Sequence, residues 1–151
     1  MKLRLVTTFW VAVRAGYGKG LSSNRSIASS MECYLMDLNS IKAEEDVVEA
    51  LKYRTQFEKD VLVATFRIPK GRISTYRRIA EKIGRPKSYR AVGNALHKNP
   101  LSPVVPCHRV VGFDGSFGGS KKGAEERRNM VAKEGVPIEN GKVKISSEIL
   151  Y

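Results

Sequence analysis

Hydrophobic side chains recur at helical spacing in three successive segments between residues 55 and 98. The first segment opens with Thr55 and Glu58, the pattern of a capping box, in which a hydroxyl and a carboxylate each accept a hydrogen bond from an amide at the helix start. Phe57, Val61 and Ala64 then follow on one helical face. The sequence Pro-Lys-Gly comes next and is expected to end this helix.

Two shorter helices are predicted to follow. One starts at Ser74 or Thr75 and ends at Gly84, a residue type that favours the left-handed conformation of a helix stop. The other runs from about residue 88 to 98 and is closed by Asn99 and the proline after it. Two short helices joined by a tight glycine-containing turn are typical of a helix-turn-helix. A helical hairpin with a solvated basic face fits the same pattern.

Shorter elements are expected downstream. Val104-Val105 and Val110-Val111 have the character of buried strands, and Asp114-Gly115 predicts a tight hairpin. A basic helix is predicted from about Ala124 to Lys133, with Gly135 as its stop.

The first 54 residues show no clean periodicity. A strand is expected over Leu3–Val13, and it is favoured over a cleaved signal peptide because Arg14 stands where a small-residue cleavage site would lie. A short helix is expected near Glu44–Leu51. We therefore divide the chain into a reduced N-terminal subdomain, residues 1–54, and a main domain, residues 55–151.

Charge changes this picture of the main domain. The chain has 27 Lys and Arg against 15 Asp and Glu, a net charge of +12, and nearly all of the surplus falls after residue 54. Such a surplus favours a polyanionic partner, most simply nucleic acid. No apolar run approaches the length of a membrane span, so no membrane association is expected. The presence of only two cysteines favours a reducing, intracellular setting.

The sequence Pro-Cys-His-Arg at 106–109 is the strongest candidate for a reactive centre. A cysteine beside a histidine and an arginine is placed where its thiolate, the nucleophilic form, would be stabilised. A lone cysteine is also commonly buried and inert. Glu134 stands at the C-terminus of a predicted helix, where the helix dipole disfavours an acidic side chain. A role in orienting an imidazole would explain why a glutamate occupies this position. No spacing typical of a metal site connects Cys33, Cys107, His97 and His108, so no metal is expected.

Four blocks of sequence carry a family resemblance. Residues 68–80, 90–96, 99–110 and 134–136 closely resemble the C-terminal domain of the methylated-DNA–protein-cysteine methyltransferases. The resemblance implies a mixed α/β (α+β) chain, in which a mainly helical, winged helix-turn-helix-like domain binds DNA and carries the catalytic residues. It also implies a monomer without a cofactor that acts on double-stranded DNA containing O6-methylguanine, through the minor groove and by extruding the base.

The resemblance also implies individual roles. Cys107 would accept the alkyl group irreversibly, His108 would activate it through a water, and Glu134 would orient the histidine. Asn99 would form the turn before the reactive loop, and Tyr76 would rotate the target nucleotide. Arg90 would fill the gap that the nucleotide leaves. Further DNA-binding positions would be Ser88, Ala91, Lys98 and Arg109, and the base pocket would include Val110, Gly118, Gly119 and Ser120.

Three features differ from the family pattern. The N-terminal part is short, no tyrosine stands near Ser120, and residues 136–151 are more similar to the alkyltransferase-like proteins, which bind alkylated bases without a reactive cysteine. A suicidal DNA repair alkyltransferase is the leading interpretation because Cys107 is present. A non-enzymatic sensor of alkylated DNA is the alternative. A plain helix-turn-helix regulator would leave Pro-Cys-His-Arg unexplained.

Overall fold

The computed structural model describes residues 37–151, and the predicted strand over residues 3–13 lies outside them. This part of the chain is mixed α/β and mostly helical, which confirms the predicted fold class. The helices are α1 (Glu44–Ala50), α2 (Gln56–Phe66), α3 (Tyr76–Lys82), α4 (Tyr89–His97) and α5 (Lys121–Lys133). The strands are β1 (Ser74–Thr75), β2 (Val110–Val111), β3 (Ile138–Glu139) and β4 (Lys142–Val143). Within residues 37–151, no helix combines the length and apolarity that crossing a bilayer requires.

The predicted starts of α2 and α3 are confirmed by their caps, whereas α5 starts at Lys121, three residues before the predicted Ala124. The Thr55 hydroxyl accepts a hydrogen bond from the Glu58 amide at 3.3 Å, and the Glu58 carboxylate accepts one from the Thr55 amide at 3.1 Å. Thr75 caps α3 by accepting from the amide of Arg78. Gly84 follows α3 with a φ of +72°, the left-handed conformation expected of a helix stop.

Helices α1 to α4 share one hydrophobic core. The helix predicted near residues 44–51 is confirmed as α1, and it packs on α2, while α2 and α3 each pack on α4. The core therefore extends across position 54 without a break. Its fully buried side chains include Val47, Leu51, Val61, Leu62, Ile79, Val92 and Leu101.

A two-stranded parallel sheet joins the start of α3 to the segment after the candidate cysteine. Ser74 pairs with Val110 and Thr75 with Val111. The strand character of Val110-Val111 is thus confirmed. The prediction of a strand at residues 104–105 is wrong, because that segment forms a turn in which the Val105 amide donates to the Leu101 carbonyl.

The hairpin lies elsewhere than predicted. The chain does turn at Asp114-Gly115, where the Gly115 amide donates to the Gly112 carbonyl, but the preceding strand pairs with β1 rather than across this turn. The antiparallel hairpin is β3–β4, and its turn is Asn140-Gly141, with φ angles of 51° and 76°. Asn-Gly is the typical pair for a two-residue hairpin turn because both positions require positive φ.

Candidate active site

Cys107 and His108 point to different environments because they lie in a tight 3-10 turn, Cys107–Arg109, between Pro106 and β2. The His108 side chain is buried, whereas Cys107 is half-buried and its Sγ lies 3.9 Å from the Ser102 hydroxyl. The sulfur is therefore available to a ligand while the imidazole is enclosed by protein.

The carboxylate of Glu134 organises the buried side of this turn. Its Oε1 lies 3.0 Å from His108 Nε2, and Arg109 donates to both carboxylate oxygens, at 2.7 and 2.8 Å. The Gly71 amide donates to Oε2 at 3.3 Å. A glutamate at the end of α5 is thus placed where the sequence analysis expected an orienting group for the imidazole.

Arg109 lies in this cluster and not at the DNA-facing surface where the resemblance placed it. Besides Glu134, its guanidinium donates to the Ile68 carbonyl at 2.7 Å, and its side chain is 16% exposed. The preceding 3-10 turn directs it inward, and three charge-assisted hydrogen bonds hold it there.

The surroundings of Glu134 keep it ionised. Burial would by itself raise its pKa, but hydrogen bonds from Arg109, His108 and the Gly71 amide together outweigh burial and lower the pKa to about 2. An ionised carboxylate only accepts hydrogen bonds, so the proton of a neutral His108 must lie on Nε2. Nδ1 is then the basic nitrogen of the ring.

Nδ1 of His108 is buried and has no hydrogen-bond partner within residues 37–151. Buried polar atoms in proteins are nearly always paired, with protein or with water. Nδ1 is therefore a buried acceptor without a protein partner, one residue from the cysteine.

Asn99 closes the connection between α4 and the reactive turn. Its side-chain amide donates to the Val105 carbonyl at 3.0 Å, and its Oδ1 accepts from the Leu101 amide at 2.9 Å. These two bonds hold the segment that delivers Cys107, as expected of a turn residue at this position.

A cleft of about 470 Å³ opens in front of Cys107. It is bounded by α3, α4, α5 and the glycine-rich loop, residues 112–119. Five of the expected site residues meet there: Tyr76, Arg90, Cys107, Gly118 and Gly119. Its volume lies in the range of small-molecule pockets.

The other expected residues lie outside this cleft. Val110 is 1% exposed and belongs to the hydrophobic core, and Ser120 caps α5 through its hydroxyl. Ala91 and Lys98 line a neighbouring cleft on α4, and Ser88 is the half-buried residue before that helix.

Arg127 is a cleft residue that the sequence analysis missed. Its Nε donates to the Gly123 carbonyl at 3.0 Å, and its Nη2 donates to the Gly118 carbonyl. A Cβ added at Gly119 would lie 2.6 Å from Nη2, so a side chain at this position would displace the guanidinium from where it now lies. The sequence signal that could have indicated this contact is the spacing of the two residues: Arg127 follows Gly123 by four positions, which places them one turn apart on a helix.

The Tyr76 hydroxyl lies at the same wall. A Cβ added at Gly118 would lie 3.1 Å from that oxygen. Burial raises the pKa of Tyr76, and the charge of Arg127 only partly opposes this. The phenol is therefore protonated at neutral pH and can donate a hydrogen bond inside the cleft.

Metal-binding geometry is not found in the described part of the chain. No group of three or more His, Cys, Asp or Glu side chains within residues 37–151 is arranged to hold an ion.

Comparison with known proteins identifies relatives of this chain. Residues 56–136 match the family model described as the DNA binding domain of 6-O-methylguanine DNA methyltransferase. The methylated-DNA–protein-cysteine methyltransferase of Methanosarcina barkeri is 37% identical over 110 residues, which are 73% of this chain and 67% of that protein.

Solved structures show the same similarity. S. pombe Atl1 in complex with damaged DNA containing O6-carboxymethylguanine superposes with a TM-score of 0.57 at 30% identity, over 64% of this chain and 94% of Atl1. The Mycobacterium tuberculosis OGT in complex with DNA gives a TM-score of 0.51 at 40% identity, over 53% of this chain and 50% of that one.

Proposed function

Because the chain belongs to the 6-O-methylguanine DNA methyltransferase family, we propose that it repairs O6-alkylguanine in double-stranded DNA by moving the alkyl group to Cys107. The observation that carries this proposal is that the two side chains of the reactive turn, Cys107 and His108, have different surroundings. Cys107 faces a cleft large enough for a flipped base, while His108 is held by Glu134 with its basic nitrogen unpaired. This is the arrangement of an activated nucleophile with an oriented base.

The transfer needs no cofactor. His108 Nδ1 takes the thiol proton of Cys107 through one bridging water, and the Glu134 carboxylate stabilises the resulting imidazolium. The thiolate attacks the alkyl carbon, so an S–C bond forms as the C–O6 bond breaks. The electron pair stays on the guanine, which takes up a proton from water or from the Tyr76 phenol. The thioether is stable, and each molecule reacts once.

DNA engagement follows from α3 and α4. The exposed Arg90 lies at the mouth of the cleft, where it can enter the base stack from the minor groove as the target nucleotide leaves. Extrusion is necessary because O6 of a guanine that stays paired in the duplex is out of reach of a nucleophile inside a cleft. The DNA complexes of S. pombe Atl1 and M. tuberculosis OGT, both similar to this chain, support such an interface.

A damage sensor is the second candidate. The observation that favours it is the pocket wall, where Arg127 lies and no tyrosine stands near Ser120. The similarity to Atl1, which covers 94% of that protein, also supports a sensor. A sensor would bind the flipped base in this cleft without breaking the C–O6 bond.

Peptide mass spectrometry after incubation with an O6-methylguanine duplex separates the two functions. We expect the peptide containing Cys107 to gain one methylene, in at most one-to-one stoichiometry, and Cys107→Ser to gain nothing while still binding DNA. A serine hydroxyl is far less ionised at neutral pH and is a poor nucleophile without comparable activation.

Cys33→Ser is the matched control, since Cys33 is the only other cysteine of the chain, and it should react like the wild type. Tight binding with no mass gain on reduced Cys107 would refute transfer and establish the sensor.

A further inference from the structure

The cleft in front of Cys107 has an unusual charge balance. The described residues that line it include two arginines, Arg90 and Arg127, and no carboxylate. Arg90 is exposed and is assigned above to the DNA stack, so Arg127 is the cation that stays inside the cleft when DNA is bound. Its charge is not neutralised, because no carboxylate in residues 37–151 forms an ion pair with it.

Arg127 is also held in a fixed position. It is half-buried, and its Nε and Nη2 donate to two carbonyls, those of Gly123 and Gly118. Both acceptors are neutral, and the other polar neighbour of the guanidinium is the neutral hydroxyl of Tyr76. A guanidinium that keeps free N–H groups is suited to bind a carboxylate through charge-assisted hydrogen bonds.

Resting on the proposed function, we propose that Arg127 makes the cleft selective for guanines whose O6-alkyl group carries a negative charge, of which carboxymethyl is the smallest carboxylate example. The substrate class is thus an anionic O6-alkylguanine, bound in preference to neutral adducts of the same size.

The charge arrangement at the sulfur supports this selectivity. A carboxylate one bond from the reacting carbon would be repelled by the Cys107 thiolate in a neutral cleft. Arg127 lines the same cleft as Cys107 and offsets that repulsion. In the transfer, the S–C bond forms to the methylene carbon as the C–O6 bond breaks. The products are S-carboxymethylcysteine and a guanine that has gained a proton.

The first test keeps Arg127 and removes only the reactive sulfur. Full-length Cys107→Ala protein, which cannot react, is titrated with duplexes carrying O6-carboxymethylguanine or its neutral isostere O6-carbamoylmethylguanine. We expect the carboxymethyl duplex to bind about tenfold more tightly, the effect of one partly desolvated charge pair. Equal binding of the two duplexes, or tighter binding of the neutral one, would overturn the proposal.

The second test assigns the effect to Arg127. In the same background, Arg127→Gln should remove the preference for the anionic duplex and Arg127→Lys should keep part of it. Arg128→Gln is the matched control, because Arg128 carries the same charge on the same helix but lines a different cleft and pairs with Glu125. A preference that survives in Arg127→Gln, or is lost equally in Arg128→Gln, would refute the assignment.

Failure of the proposed function would look different. If wild-type protein gains no mass from either adduct but the binding preference persists, transfer is refuted. The protein is then a sensor that is selective for anionic adducts. If transfer occurs without any preference, the enzyme stands and the selectivity is refuted.

Discussion

The carboxylate of Glu134 accepts hydrogen bonds from Arg109, His108 and the Gly71 amide, and its side chain is only 11% exposed. One residue thus fixes the tautomer of the imidazole, holds an arginine inward and ties the end of α5 to the loop before β1. Removing its charge should affect the stability of the protein as well as its reactivity.

Glu134→Gln is expected to destabilise the fold in a pH-dependent way. The pKa of Glu134 is about 2 in the folded protein, against an ordinary value of 4.5, so its ionised form stabilises the fold above about pH 4.5 and this contribution is lost as pH falls toward 2. At neutral pH the variant should be less stable by on the order of 3 kcal/mol, because one pKa unit corresponds to about 1.4 kcal/mol. Urea unfolding at several pH values measures the difference.

The difference between wild type and Glu134→Gln should shrink in acid, where the native glutamate is itself protonated. Glu139→Gln is the control, since Glu139 forms an exposed pair with Lys144 and should give a difference near zero throughout. A destabilisation by Glu134→Gln that stays constant down to pH 2 would show that its charge is not the cause.

At the scale of elements, the glycine-rich loop depends on the β3–β4 hairpin behind it. The Val143 amide donates to the Gly115 carbonyl at 2.9 Å, and Lys142 pairs with Asp114 at 2.6 Å. The hairpin therefore braces the loop that carries Gly118 and Gly119 to the cleft.

Gly115→Ala should disrupt this contact. Gly115 has a φ of +78°, and an added Cβ would lie 2.1 Å from the Val143 carbonyl oxygen, so loop or hairpin must move. We expect a loss of about 3 kcal/mol or more, from backbone strain plus overpacking, measured as a shift in the urea midpoint.

Gly84→Ala measures the backbone strain without the overpacking. Gly84 has a similar φ of +72° but nothing lies within 4 Å of an added Cβ, so only about 1–2 kcal/mol should be lost. Equal losses in the two variants would mean that the loop and hairpin separate without cost.

Across the whole molecule, the surplus of basic residues after position 54 should dominate non-specific DNA binding. Lys87 and Lys98 are exposed and flank the two ends of α4, the helix that carries Arg90. Contacts from such side chains release condensed counterions, so the binding constant should fall steeply between about 50 and 200 mM salt.

Lys87→Gln or Lys98→Gln should each reduce the slope of log K against log salt by about one. Lys144→Gln is the control, because Lys144 is paired with Glu139 at the hairpin, and its slope should match the wild type. A wild-type binding constant that does not change with salt would contradict an electrostatic interface.

The sequence by itself determined the helices α2 to α4, their caps and stops, and the candidate cysteine and histidine, because capping, helical periodicity and glycine stops act over one or two turns. Only the tertiary structure decided that Ser74-Thr75 pairs with Val110-Val111, that Arg109 turns inward to Glu134, and that Arg127 enters the cleft. These contacts join segments far apart in the chain, so their register and direction depend on how helices and loops pack together. Local patterns carry no information about that packing, which is why the contact between Arg127 of α5 and the loop at Gly118 and Gly119 could not be predicted from the sequence.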